Sequence, residues 1–143
     1  SRDFAIFQKQ WREGKKLSRR LHHMYAMELF ISGEDNDFLE ASELFEQSAM
    51  DPERTLDEVK EAACVVARAA RIRHDAVTML KMTLKDLLTE GSSEMCYELG
   101  EFFRELGDKE EAAIWYYNAM HETQSILNIH TSTDWPEKRL ESL

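Results

Sequence analysis

Helix stop and start signals alternate along the whole of this 143-residue chain and leave little room for other secondary structure. Glycine repeatedly follows a stretch with helical periodicity, where the left-handed residue that ends a helix is least costly as glycine. These glycines are Gly14, Gly33, Gly91 and Gly107. An acidic or hydroxyl residue followed three positions later by Glu has the spacing of an N-terminal capping box. Such pairs are Thr55 and Glu58, Asp37 and Glu40, Asp108 and Glu111, and Asp134 and Glu137.

These signals predict an all-α fold. The expected helices span residues 3–13, 18–31, 37–50, 56–71, 75–90, 93–106 and 109–127, with a short last helix beginning near Pro136. No stretch sustains the two-residue alternation of a strand, so we expect no sheet. The longest apolar run, Ala62–Ala67, is far shorter than the roughly 20 residues of a membrane-spanning helix. A chain of this length is expected to fold as one domain without disulfides or metal.

Small residues recur at a nearly constant interval, since Ala41, Ala76 and Ala112 are 35 and 36 positions apart. The third copy contains Leu99-Gly100-x-x-Phe103-x-x-x-Gly107-Asp108-x-x-x-Ala112-x-x-x-Tyr116-x-x-Ala119. This segment resembles a tetratricopeptide repeat, a unit of about 34 residues that folds as two antiparallel helices. It departs from the repeat pattern at Cys96, where Trp is frequent, and at Gln124, where Pro is frequent.

The resemblance implies an α-α superhelix of about three helix pairs, right-handed, with extra helices at both ends. Gly100 and Ala112 would lie where two helices cross closely, Gly107 would permit the turn, and Tyr116 and Ala119 would pack on the next helix. The repeats would cover about 19–54, 55–91 and 93–126, within a domain spanning 18–143 that ends in a capping helix at 134–143. The first turn looks about three residues too long, and in the second turn Arg71 stands where Gly is usual.

The first residues form a basic leader, residues 1–17, on an acidic body. Residues 1–23 carry a charge of +5, the remainder −15, and the whole chain −10, which argues against general nucleic-acid binding. The leader could dock on the acidic body of its own or a sister chain, serve as a linker, or bind anionic lipid or nucleic acid. Phe4, Phe7 and Trp11 fall on one helical face, which favours docking on protein or a linker.

A second resemblance concerns the start of the chain. The run Arg2-Asp3-Phe4-Ala5-Ile6-Phe7, followed by basic residues and Tyr25-Ala26-x-Glu28-Leu29-Phe30, resembles the region after the catalytic domain of some bacterial family 2 glycosyltransferases. This implies a non-catalytic, cytoplasmic accessory domain that positions an acceptor or mediates self-association. Asp35-Asn36-Asp37 has the spacing of that family's Asp-x-Asp motif, but with no strand before it we interpret it as a turn and N-cap. The alternative is a free-standing adaptor that binds a peptide.

No pattern in the sequence predicts catalysis, a cofactor or a metal site. His121-Glu122 begins like a zinc-peptidase motif, but Ser125 stands where the second histidine is needed. No Cys–His spacing matches a zinc site, and neither a nucleophile elbow nor a Gly-rich phosphate loop occurs. Cys64 and Cys96 lie in apolar helical patterns and are expected to be buried free thiols in a reducing compartment.

The remaining candidate site is the groove lined by the first helix of each repeat. Transfer of the repeat's groove positions gives Arg20, His23, Met27 and Phe30, then Glu58, Glu61, Val65 and Arg68, then Glu94, Tyr97, Glu101 and Arg104. The alternative is that these are ordinary solvated helix faces. The acidic residues among these groove positions predict a basic or neutral protein or peptide partner. Tyr97 is the strongest single candidate for a contact with that partner.

Two features near the end of the chain concern assembly. Tyr116 is expected to be core, whereas Trp115 and Tyr117 are candidates for a contact between two copies, so a homodimer is among the expectations. Asp134-Trp135-Pro136 opens a helix with Leu140 and Leu143, which we expect to cap the last helix pair.

Overall fold

Helices account for the regular structure of residues 4–143, the part of the chain that the computed structural model describes. The α-helices are α1 (Ala5–Arg12), α2 (Arg19–Ser32), α3 (Asp35–Ala49), α4 (Leu56–Ile72), α5 (Ala76–Leu87), α6 (Ser93–Glu105), α7 (Lys109–His121) and α8 (Asp134–Ser142), and a 3₁₀ helix spans Ile129–Ser132. Within this described range there is no strand, only an isolated bridge between Ser92 and Gln124. The predicted all-α fold is confirmed.

Helix α4 lies at the centre of the molecule. It packs beside α2 and α6 in one layer, α3 and α5 pack on α4, and α7 packs on α6. The run Ala62–Ala67 is buried at every position, so all sides of α4 are covered. An all-round apolar helix is expected only in such a central place, and its small side chains let its neighbours approach closely. The arrangement is compatible with a helical repeat.

The basic leader packs on the rest of the chain. Phe4 and Phe7 of this segment are buried, and the Phe7 ring stacks on Tyr25 with ring centroids 4.6 Å apart. Lys16 is paired with Asp51, with its Nζ 2.5 Å from the carboxylate. Ser1, Arg2 and Asp3, which belong to the predicted leader and to the glycosyltransferase-like run, lie outside the described residues. From Phe4 onward, the leader therefore docks on its own chain.

Two turns repeat the same geometry 33 residues apart. Gly107 after α6 has φ +84°, and His74 after α4 has φ +60°. In both turns the next residue is an aspartate that caps the following helix: Asp108 accepts from the amide of Glu111, and Asp75 from that of Thr78. The residue at the glycine position of the second turn is therefore His74, not Arg71. The shared geometry is the clearest structural sign of repetition in the fold.

Several predicted helix boundaries are wrong. Gly33 follows the last residue of α2 as predicted, but with φ −73° it is not left-handed. Helix α3 begins at Asp35 because Glu34 is its N-cap, with Asp37 completing the capping box. Helix α7 ends at His121 rather than 127, because the Thr123 hydroxyl donates to the Asn118 carbonyl, 2.9 Å away. Asp134 lies inside α8, whose N-cap is Thr133.

Gly100 sits under an aromatic ring at the α6–α7 crossing. A Cβ built on Gly100 would lie 2.4 Å from Tyr116 Cε1. Tyr116 itself is fully buried, as is Ala112 one turn earlier on α7. The sequence correctly placed a close crossing at Gly100, and the structure identifies Tyr116 as the side chain that fills the space.

We expect Gly100→Ala to lower the free energy of unfolding by about 1–3 kcal/mol, because the methyl group forces the Tyr116 ring or α7 to move. Alanine has a helix propensity about 1 kcal/mol more favourable than that of glycine, so a net loss of stability means that the steric clash costs more than this gain. Chemical denaturation followed by circular dichroism gives the value. The matched control is Gly107→Ala, where a Cβ meets no atom within 4 Å and the cost comes from φ alone. A Gly100→Ala protein as stable as wild type would contradict the packing described above.

Candidate functional site

The groove face of the first helices is covered by the chain itself. Between α7 and α8 the chain forms a segment that we call the strap, residues 122–133, which ends in the 3₁₀ helix. The strap begins beside α6, where the Ser93 amide donates to the Gln124 carbonyl at 2.9 Å. It then reaches α2, where Asn128 Nδ2 donates to the Phe30 carbonyl at 2.7 Å. The strap thus ties together the first and third helix pairs.

Glu94 on α6 holds the strap by its backbone. Its carboxylate accepts the amides of Ile126 (2.8 Å), Leu127 (3.0 Å) and Asn128 (2.8 Å). The Thr131 hydroxyl donates to the same carboxylate at 2.9 Å. Glu94 is fully buried, so these four donors stand in for the water that a carboxylate otherwise requires. Through these three amides, Glu94 contacts the backbone of the strap and not its side chains.

A second buried carboxylate joins α4 to α6. Glu98 Oε2 accepts from Arg68 Nε at 2.8 Å, and Glu98 Oε1 accepts from Arg71 Nε at 3.0 Å. Burial alone would raise the pKa of Glu98, but the two guanidinium groups outweigh burial and hold the pKa below its usual range. The Arg68 guanidinium also lies over the Phe30 ring, 4.5 Å from its centroid. This cluster fixes the arginine side chains at the middle of the groove.

A third carboxylate, Glu101, binds the C-terminal cap. It accepts from the hydroxyls of Tyr97 (3.1 Å) and Tyr116 and from Arg139 Nη2 on α8 (3.0 Å). Burial raises the pKa of Tyr97 to about 12, and the neighbouring Glu101 charge acts in the same direction. Both phenols therefore remain protonated donors.

Helix α8 packs where the sequence predicts a C-terminal cap. Its Trp135 ring lies 5.7 Å from that of Tyr97, measured between ring centroids. Leu140 and Leu143 pack on the same small cluster. Helix α8 therefore covers the end of the last helix pair.

At the other end of the groove, Glu61 of α4 lies against two histidines of α2. Its carboxylate oxygens lie 3.1 Å from His22 Nδ1 and 2.6 Å from His23 Nδ1. Glu58, three residues earlier, closes the capping box of α4 with Thr55, and Arg54 pairs with it as well. These acidic side chains are engaged within the chain rather than presented to solvent.

The structure brings most of the predicted groove residues together but does not leave them open. Phe30, Glu58, Glu61, Val65, Glu94, Tyr97 and Glu101 are buried, His23, Met27 and Arg68 are half-buried, and Arg20 and Arg104 are exposed. Substitutions such as Tyr97→Ala or Glu101→Lys therefore alter the packing of the C-terminal cap and do not test partner binding alone.

One open cleft lies beside the strap, and another lies against α8. One, of about 340 Å³, is lined by Arg19, His23, Asp57, Glu58, Lys60, Glu61 and Ile126. The other, of about 460 Å³, is lined by Arg68, Arg71, Tyr97, Glu101, Trp135, Lys138, Arg139 and Ser142. Both clefts mix apolar and charged side chains, as sites that bind peptides often do.

The two cysteines are buried free thiols, as predicted. Burial raises the pKa of Cys96 to about 12 and that of Cys64 well above its usual value. Such thiols are poor nucleophiles because the reactive form is the thiolate. Among the described residues, no group of three or more His, Cys, Asp or Glu is placed to hold a metal ion. No helix in residues 4–143 is long and apolar enough to cross a membrane.

The strap is the element of the candidate site that the sequence pattern does not predict, because the expected last repeat helix continues to residue 127. A signal was present, since Thr123, Ser125 and Asn128 are residues that favour caps and turns over helix interiors. Three successive amides converge on Glu94 because the strap bends at Ile126 and Leu127, so the arrangement can hold a bent backbone in a groove of carboxylates. No protein-family model, curated protein or solved structure matches this chain.

Proposed function

We propose that this chain is a non-catalytic protein-interaction module whose groove, formed by α2, α4 and α6, binds a bent polypeptide segment by its backbone. The observation that carries the proposal is the contact of Glu94 with three successive backbone amides of the strap. A surface that holds a chain by its backbone accepts other segments of the same conformation, as other peptide grooves do. In the present structure the strap occupies this surface, so a partner segment competes with it.

The charge of the groove supports the proposed class of partner. Glu94 keeps a negative charge that no cation among residues 4–143 offsets, because its donors are amides and a hydroxyl, whereas Glu98 and Glu101 are paired with arginines. An acidic surface favours donors and basic side chains and disfavours acidic ones. The partner is therefore a basic or neutral peptide.

The test is binding of a fluorescent synthetic peptide with the sequence of residues 122–135 to the full-length chain, measured by anisotropy. In wild type the tethered strap competes, so we expect weak binding. The double variant Asn128→Ala and Thr131→Ala weakens the strap without altering the groove helices, and it should bind the peptide at least about tenfold more tightly. Glu94→Ala in that background should abolish the gain.

A scrambled peptide of the same composition is the control for nonspecific binding. If the strap variant binds the matched and scrambled peptides equally, or if Glu94→Ala leaves binding unchanged, the groove is not a peptide-binding surface. Circular dichroism of every variant separates loss of binding from loss of fold.

The wider setting of the module rests on the resemblance at its start. The run Arg2–Phe7 supports attachment to the catalytic domain of a bacterial family 2 glycosyltransferase, where the module positions an acceptor or mediates self-association. Two free thiols fit a reducing compartment such as the cytoplasm. We expect the coding region upstream of Ser1 to encode alternating strands and helices with an Asp-x-Asp after a strand. A start codon directly before Ser1 would instead support a free-standing adaptor.

A further inference from the structure

The outer face of α5 carries an apolar stripe that its own chain does not cover. Val77, Leu80, Leu84 and Leu88 are 50–80% exposed. Their spacing of three and four residues puts them on one side of the helix, over a length of about 16 Å. Isolated exposed leucines are ordinary, but a continuous stripe marks an interaction surface.

The charge beside this stripe is positive in a chain whose net charge is −10. Lys81 and Lys85 follow the stripe on one side and make no ion pair among the described residues. The acidic residues of α5 do not offset them, since Asp86 is buried against Ser92 and Asp75 caps the helix. The face is therefore apolar with a cationic edge, and it suits a helix that is apolar with an acidic edge.

Helix α7 presents such a face. Ile114 and Tyr117 are about half exposed and lie on the side of α7 that also carries Glu110. Glu111 and Glu122 lie at the edge of this side. The α7 stripe, Ile114 and Tyr117 with the His121 ring 4.6 Å from that of Tyr117, is shorter than that of α5 and opposes it in charge.

The two faces belong to consecutive helix pairs, which permits a symmetric contact. Helix α5 packs on α4, α7 packs on α6, and α4 adjoins α6. The end of α5 and the residues just after α7 meet around Gly91, since a Cβ placed there would lie 2.6 Å from Leu87 Cδ2 and 3.7 Å from Thr123 Cγ2. A two-fold axis can therefore place α5 of each copy on α7 of the other, so that one contact is made twice.

We propose that this chain forms a homodimer in which the α5 stripe of one copy packs on the α7 stripe of the other. The surface differs from the groove occupied by the strap, so dimer formation and peptide binding are independent. The net negative charge of the chain argues against an anionic membrane as the partner of the α5 stripe. The acidic edge of α7 instead complements Lys81 and Lys85.

Sedimentation velocity of the full-length chain over a wide concentration range tests the proposal. We expect a reversible dimer that Leu84→Glu weakens by about 100-fold or more, since the contact is made twice and each buried leucine side chain contributes about 10-fold or more. Leu84 is 62% exposed, so the substitution leaves the monomer folded. Ile129→Glu, at an equally exposed apolar residue of the strap, is the matched control and should not change the association.

Charge reversal identifies the pairing of the helices. Lys81→Glu with Lys85→Glu should weaken self-association, as should Glu110→Lys with Glu111→Lys, whereas a mixture of the two variants should restore a heterodimer. A chain that stays monomeric at every concentration overturns the proposal. Association that Leu84→Glu abolishes but the α7 substitutions do not affect would mean that α5 pairs with α5, and would also overturn it.

Discussion

We expect replacement of Glu94 by alanine to lower the free energy of unfolding by about 3–5 kcal/mol, because it leaves three buried amides without an acceptor. The amides are those of Ile126, Leu127 and Asn128, at 2.8–3.0 Å from the carboxylate in wild type. Domains of this size are stabilised by only about 5–15 kcal/mol, so the loss is a large fraction of the total. Urea denaturation followed by circular dichroism measures it.

Hydrogen exchange separates loss of the strap from loss of the whole fold. In the Glu94→Ala protein the amides of residues 126–128 should exchange much faster, while those at the centre of α4 should stay protected under conditions that keep the chain folded. Glu43→Ala, which removes an exposed glutamate from α3, is the matched control and should change the stability by less than about 0.5 kcal/mol. Equal stability of the two variants would show that Glu94 does not hold the strap.

We expect Glu98→Ala to have a similar cost, about 3–5 kcal/mol, for a different reason. The substitution leaves the guanidinium groups of Arg68 and Arg71 largely buried without their shared carboxylate. The matched control is Glu105→Ala. Glu105 also pairs with Arg71, at 2.6 Å, but its side chain is 36% exposed, so its removal should cost about 0–1 kcal/mol. A comparable loss in both variants would contradict the role of burial.

The pH dependence of stability tests the same cluster. Burial raises the pKa of Glu98, but the two arginines outweigh it and leave the pKa below the usual 4.5. A carboxyl group whose pKa is lower in the folded than in the unfolded state stabilises the fold above the unfolded pKa, and this contribution is lost as the pH falls through the folded pKa. The stability difference between wild type and the neutral variant Glu98→Gln should therefore be full near pH 7 and shrink below pH about 4.5. A constant difference would exclude this electrostatic origin.

Local sequence patterns predicted a helix boundary well where the contacts that fix the boundary lie close together in the sequence. The start of α4 at Thr55 and the turn at Gly107 depend on contacts within about four residues, and the structure reproduces both. At Gly33 the predicted position of the helix stop was right but its left-handed conformation was wrong, since Gly33 is extended, with φ −73° and ψ 145°. Local patterns also missed His74, since a histidine is only a weak signal of a left-handed turn, which the surrounding fold imposes here.

The sequence predicts which groove residues share a face of α6, but it does not predict that the rest of the chain buries them. Tyr97, Glu94 and Glu101 do lie on one face of α6, as the helical spacing requires. Their burial depends on the strap and on α8, and nothing within a few residues of α6 encodes where those segments lie.

The sequence by itself determined the helical class and the approximate bounds of most helices, because helical periodicity and capping act between residues three or four positions apart. Only the tertiary structure decided that the strap covers the groove. Glu94 meets its partners 32 to 37 positions along the chain, and Asn128 meets Phe30 98 positions away. A buried carboxylate and its donors are stable only together, so neither side of such a contact is visible in its own local pattern.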